Sequence, residues 1–299
     1  MSRFSHLGAI FLGCLLYGVA GQHWIIPPLS DLQSGANELC GLSNPDGLGI
    51  DVKVTDGYSR PGEYPWVVAL FSKGQFFAGG SLIKPGVVLT ASHLLESKVA
   101  EDIMIRAGAW NIAARAEQLP HEERQVTSIV RHENFTFATG GNNIALLFLS
   151  LPFELKTHIR TMCLPRQGKS FDQGRCFVAG WGKVSYQDSQ LSNVQKKIQL
   201  PLVNREVCQD QLRKTPLGPD SVLPDSLLCA GGERNKDTCR GDGGSPLFCP
   251  MEGDPERYEQ AGIVNWGIKC GTENIPAIYT NVALFRDWID QHVANKPQF

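Results

Sequence analysis

With 299 residues, 42% of them hydrophobic, the chain can build one large all-β domain or two small ones around a buried core. Lys and Arg number 28 against 30 Asp and Glu, for a formal net charge of −2. That balance gives neither nucleic acid nor an anionic membrane an electrostatic reason to bind.

At the N-terminus, Arg3 and His6 stand before an apolar run from Leu7 to Val19, which the small residues Gly18-Val19-Ala20-Gly21 close. A basic start, a short apolar centre and a small-residue exit predict a secretory signal peptide over residues 1–20, cut near Ala20 or Gly21. The run is shorter than the about 20 apolar residues a spanning helix needs, and no later stretch is long enough. No membrane span and a secreted, extracellular protein are expected. Residues 21–53 are rich in Gly, Pro, Ser and Asn and hold one cysteine, Cys40; they read as an irregular leader ahead of a domain over 54–299.

From about Pro61, short apolar runs alternate with turn residues. Val67-Val68-Ala69-Leu70, Gly86-Val87-Val88-Leu89, Ile144-Ala145-Leu146-Leu147, Cys176-Phe177-Val178-Ala179 and Gly262-Ile263-Val264 are strand-like, at a spacing that suits an all-β barrel or sandwich. Near the C-terminus Val282, Phe285, Trp288, Ile289 and Val293 recur at helical intervals and predict an amphipathic closing helix with Arg286, Asp287 and Asp290 toward water. Of nine cysteines, Cys14 falls in the signal peptide. The rest form an even set in a chain expected outside the cell, which predicts disulfides. No Cys-x-x-Cys or paired-histidine spacing marks a zinc site, so no metal or other cofactor is expected. Asn134-Phe135-Thr136 is a glycosylation sequon, suited to an exposed loop.

A series of motifs follows in order: Pro61-Gly62-Glu63-Tyr64-Pro65-Trp66, Gly79-Gly80-Ser81-Leu82-Ile83, Leu89-Thr90-Ala91-Ser92-His93, Asn142-Asn143-Ile144-Ala145-Leu146-Leu147, Gly180-Trp181-Gly182, Asn265-Trp266-Gly267 and Ile278-Tyr279-Thr280-Asn281-Val282. Together they resemble the chymotrypsin/trypsin family of serine proteases over nearly all of residues 54–295. Leu119-Pro120-His121-Glu122-Glu123-Arg124 and Gly241-Asp242-Gly243-Gly244-Ser245-Pro246 narrow the resemblance to arthropod serine protease homologs, many of which carry a clip domain. Residues 22–39 contain no cysteine, so no clip domain is expected here. The resemblance implies two six-stranded antiparallel Greek-key barrels flanking a cleft. It also implies the disulfides Cys40–Cys163, Cys176–Cys249, Cys208–Cys229 and Cys239–Cys270. A fifth family bridge is missing at both ends, where Ala78 and Leu94 stand.

Peptide hydrolysis on this scaffold needs a serine oxygen that attacks, a histidine that takes its proton and an aspartate that orients the histidine. By the resemblance His93 is the histidine, Asn143 occupies the aspartate position and Gly243 the serine position. An amide cannot balance an imidazolium, and glycine has no hydroxyl. Ser245 is the nearest substitute, but it lies two residues on, and its hydroxyl is expected to bond the local backbone. The amides of Gly241 and Gly243 match the oxyanion-hole donors. Asp237 matches the floor of a pocket for basic side chains, with Asn265, Gly267 and Ala277 as its other positions; whether that pocket is open stays undecided. Asp242 matches the acceptor of the ammonium freed by zymogen cleavage. No good cleavage sequence precedes it, Lys53-Val54-Thr55-Asp56-Gly57 being the nearest, so Asp242 is expected to satisfy buried amides. Ala109 stands where a calcium-binding loop often has a carboxylate, and no calcium site is expected.

These features predict a secreted, catalytically inactive homolog that binds extracellular proteins such as proteases, zymogens or inhibitors and regulates a proteolytic cascade of immune or reproductive fluid. The alternative is an active trypsin-like endopeptidase with non-standard residues. A decoy for inhibitors or substrates differs from a cofactor only in the sign of its effect.

Overall fold

The computed structural model describes residues 40–50, 52–114, 116–171 and 173–296. The expected signal peptide and the leader through residue 39 lie outside the described residues. Six strands, β1 (Val67–Ser72), β2 (Gln75–Lys84), β3 (Val87–Thr90), β4 (Ile103–Ala107), β5 (Glu122–Arg131) and β6 (Ala145–Leu149), close a barrel in the order β1-β2-β3-β6-β5-β4. A second closed barrel, in the order β10-β11-β12-β9-β8-β7, comprises β7 (Arg175–Gly180), β8 (Lys196–Val203), β9 (Leu227–Gly231), β10 (Pro246–Met251), β11 (Asp254–Trp266) and β12 (Pro276–Asn281). All neighbouring strands pair antiparallel.

The unbroken apolar run of β1 has a geometric cause. Successive side chains of a strand point to opposite faces. Val68 and Leu70 point into the first barrel with Leu82, Ile105 and Leu147. Val67, Ala69 and Phe71 point outward into the seam between the barrels, where Trp66, Ala179, Trp181 and Phe248 cover them. Both faces are buried, so no polar alternation is left to read. Trp66 and Phe248 meet edge to face, with ring centroids 5.2 Å apart, which joins the two barrels by aromatic packing.

The closing helix begins later than its periodicity predicts. Val282–Phe285 form a 3₁₀ turn, followed by an α-helix over Arg286–Ala294. Val282, Phe285, Ile289 and Val293 pack on Ile83, Leu89 and Leu146 of the first barrel, while Arg286 and Asp290 pair at 2.7 Å on the solvent side. A further helix, over Arg205–Arg213, was not anticipated. Asn204 caps it by accepting the amides of Glu206 and Val207.

All four expected disulfides are formed: Cys40–Cys163, Cys176–Cys249, Cys208–Cys229 and Cys239–Cys270. The first ties the start of the described chain to the body, where Leu42 bridges Arg257 and the Gly41 amide donates to the Thr161 carbonyl at 2.7 Å. At the site of the missing bridge, Ala78 is fully buried and Leu94 packs against the same apolar cluster, so hydrocarbon fills the space. No helix among the described residues is long and apolar enough to cross a membrane.

Candidate functional site

His93 sits in the one-turn 3₁₀ helix Ser92–Leu95 just after β3, Asn143 in the loop entering β6, and Gly243 in the turn entering β10. The closed barrels bring these distant segments to one seam. Asn143 is almost fully buried, and its amide has one possible orientation. Its Oδ1 accepts the backbone N–H of His93 at 2.9 Å, a group that can only donate. Its Nδ2 contacts His93 Nδ1 at 2.7 Å and Asn265 Oδ1 at 2.5 Å. Asn265 is itself pinned, because its Nδ2 donates to the Gly140 carbonyl at 2.8 Å and to Thr280 Oγ1 at 3.3 Å.

The consequence for His93 is chemical. Nδ1 must accept from the Asn143 amide, which leaves the proton of the neutral ring on Nε2. An Nε2–H donates and cannot take a proton. Burial also pushes the histidine pKa below its ordinary value, so the ring is neutral at pH 7. We expect nitrogen-detected NMR at pH 7 to find the Nε2–H tautomer, with protonation only below the pH at which free histidine titrates. Asn143→Asp should reverse both features, because a carboxylate accepts from Nδ1–H and favours the imidazolium.

Asn265 was expected on the wall of the Asp237 pocket. Its side chain instead stands behind Asn143, as a second amide in the row that fixes His93. Ser245 is also corrected. It is fully buried, and its Oγ has no hydrogen-bond partner among the described residues, where a bond to local backbone was expected. A Cβ placed on Gly79 would lie 2.0 Å from that oxygen, so the hydroxyl is enclosed by backbone and faces no cleft.

At Gly243 the place of a side chain is partly taken. A Cβ there would come within 3.3 Å of Leu94 Cδ1, the residue that stands where the family keeps a cysteine. Gly244 could not be anything else: its φ is +82°, and a Cβ would lie 2.4 Å from the Gly79 carbonyl oxygen. Gly241, the other expected oxyanion donor, has φ +97°, and Leu191 packs over it.

Asp242 is fully buried and does accept amides, as expected: Gly182 N–H on Oδ1 and Cys239 N–H on Oδ2, each at 2.9 Å. It also has a partner the sequence reading missed. Lys196 Nζ lies 2.7 Å from Oδ2, and the lysine side chain is only 3% exposed.

Asp237 is 8% exposed; its Oδ2 accepts the Gly271 amide at 3.0 Å, while Oδ1 has no partner among the described residues. Burial pushes its carboxyl up to about 6, against the opposing bonds from the Gly271 and Thr238 amides. A Cβ on Gly267 would make ordinary van der Waals contact with the Ala277 methyl at 3.8 Å.

A groove of about 470 Å³ is lined by His93, Phe135, Phe137, Leu217, Val222 and Trp266, among others. Phe137 and Val222 are 69% and 71% exposed at its rim. Asn134, the sequon residue, is exposed on the same segment as Phe135 and Phe137. Phe137 and Val222 escaped the sequence reading because exposure of single apolar residues leaves no periodic trace. In the segment that follows Ala109, Glu117 Oε1 accepts the amides of Trp110 and Asn111 at 3.1 and 2.8 Å.

Two closed antiparallel barrels with the histidine, asparagine and glycine positions at their seam define a chymotrypsin-type scaffold. The family model described as Trypsin matches residues 55–289, and the chain belongs to that family. It is 41% identical over 286 residues to phenoloxidase-activating factor 2 of Galleria mellonella, covering 90% of this chain and 93% of that one. It is 38% identical over 267 residues to the inactive CLIP domain-containing serine protease A28 of Anopheles gambiae, covering 87% and 69% of the two chains. Similarity extends to the tryptase of Mus musculus, at 33% identity over 243 residues and 77% and 85% coverage.

Proposed function

We propose that this chain is a secreted pseudoprotease that binds extracellular proteins and regulates a proteolytic cascade. The observation that carries the reading is the amide row behind His93: Asn143 donates to Nδ1 and removes the base, at a site where Gly243 supplies no nucleophile. The relatives named as an activating factor and as an inactive protease support a regulatory role. The partner class is an extracellular protease, zymogen or inhibitor, and the apolar groove beside Trp266 is the surface offered to it. A signal peptide over residues 1–20, a leader over 21–53, a domain over 54–299 and a glycan on Asn134 belong to the same reading. The four disulfides fit an oxidising compartment.

The test has two arms. Purified protein treated with a fluorophosphonate should remain unlabelled and should hydrolyse no Arg-ester above background; stoichiometric labelling of Ser245 refutes the reading. Cross-linking in the native fluid should capture a protease, zymogen or inhibitor, and Val222→Asp with Phe137→Ser should reduce that capture at least about tenfold, as expected for apolar anchors at an interface core.

A further inference from the structure

We propose that Lys196 is an internal substitute for the ammonium that cleavage brings to the Asp242 position in related zymogens, so that the turn Arg240–Ser245 is assembled in the uncut chain. This does not depend on whether the protein is catalytically inactive.

A carboxylate removed from water needs a cation or several donors beside it. Asp242, with no solvent exposure, has both: two backbone amides and the Lys196 ammonium. The ammonium makes a second bond, to the Lys183 carbonyl, at 2.5 Å. The pair therefore joins the start of β8 to the 183 loop and to the turn that carries Gly241 and Gly243. On one side the carboxylate is packed against backbone: a Cβ on Gly182 would lie 2.4 Å from Asp242 Cγ.

The local sequence explains why a lysine reaches this place. Lys196 and Lys197 are adjacent on β8, so they point to opposite sides. Lys197 turns outward and pairs with Glu63 Oε1 at 2.7 Å; Lys196 turns inward to Asp242. The uncut strap runs along the same residues. Tyr58 bridges Lys196, the Lys197 amide donates to the Gly57 carbonyl at 2.9 Å, and the Ser59 amide donates to the Gln195 carbonyl at 3.0 Å. Lys53, Thr55 and Asp56 are exposed. A terminus freed at Lys53–Val54 would start on the surface, with its interior receptor already taken. Cleavage of this chain, where it happens, then acts on the leader side and leaves the cleft turn unchanged.

Amide hydrogen exchange read by mass spectrometry tests this. The natural protein is compared intact and after nicking at Lys53, with the leader still held by the Cys40–Cys163 bridge. Equal protection of residues 240–245 in the two forms is expected. A marked gain of protection on nicking overturns the proposal. Lys196→Met should raise exchange in that segment on the order of tenfold or more while leaving β1–β6 unchanged, since one partner of a buried pair has been removed. Unchanged exchange in a folded Lys196→Met protein also overturns it. Should that variant fail to fold, the intact-versus-nicked comparison decides alone.

Discussion

Installing serine at position 243 is expected to leave Arg-ester hydrolysis at background. Two obstacles act in series. The new Cβ meets Leu94 at 3.3 Å, so Leu94 must shift by a few tenths of an ångström before the hydroxyl has a defined place. The histidine beside it presents Nε2–H and cannot accept the serine proton. Replacing aspartate by asparagine costs about 10⁴ in turnover in serine proteases of this architecture, even with the serine in place. Adding Asn143→Asp is also insufficient. The new carboxylate would face Asn265 Oδ1, at the position where the present amide lies 2.5 Å away, and Asn265 cannot flip without losing its bond to the Gly140 carbonyl. Two facing acceptors in a buried site destabilise the fold by about 1–3 kcal/mol. Asn265→Ser replaces the amide oxygen with a hydroxyl that can donate to the carboxylate. The ordering expected for kcat/KM is therefore the triple variant Gly243→Ser/Asn143→Asp/Asn265→Ser well above the double, and the double above a silent single, with about 10⁴ between the extremes. Ester hydrolysis with active-site titration measures all three. Brisk turnover by Gly243→Ser alone would show that Asn143 does not disable His93.

The asparagine and glycine positions were legible because a substitution within a dense motif is visible without coordinates. Its consequences were not. That Leu94 would press on Gly243 depends on a contact across about 150 residues, and that Asn265 would join Asn143 depends on one across 122. Regular spacing of strands and turns left a barrel or a sandwich open, and the family resemblance implied the two barrels, but the helix over Arg205–Arg213 could not be read. Only Cys208 and Leu212 on it are buried, too few to show a period, and the local mark was its cap, Asn204. Lys196 was hidden for a different reason. Lysine is among the residues least often buried, and its partner lies 46 positions away, so nothing in the sequence near Lys196 points it inward. A buried aspartate without a named cation was the clue that could have started the search.

Asp237→Asn should stabilise the protein near neutral pH and lose that advantage in acid. The carboxyl titrates at about 6 in the fold, against an ordinary value of 3.8, because burial disfavours its charged form. A group whose folded pKa is raised binds its proton more tightly when folded, so stability falls as pH rises from about 4 through about 6 and then levels off. At 1.36 kcal/mol per unit, the penalty on the plateau is at most about 3 kcal/mol. The asparagine keeps an oxygen for the Gly271 amide and carries no charge to desolvate. Its NH₂ group then takes the position of the unpaired Oδ1, which returns about 1 kcal/mol of cost. The expected result from urea unfolding is a variant about 1–3 kcal/mol more stable than the natural protein at pH 7.5, with the gain shrinking by about 2–3 kcal/mol by pH 4. Comparing the two proteins at each pH cancels the groups they share. A difference that does not vary between pH 4 and pH 7.5 would mean that Asp237 ionises as freely in the fold as out of it, and that water or a counter-charge reaches Oδ1.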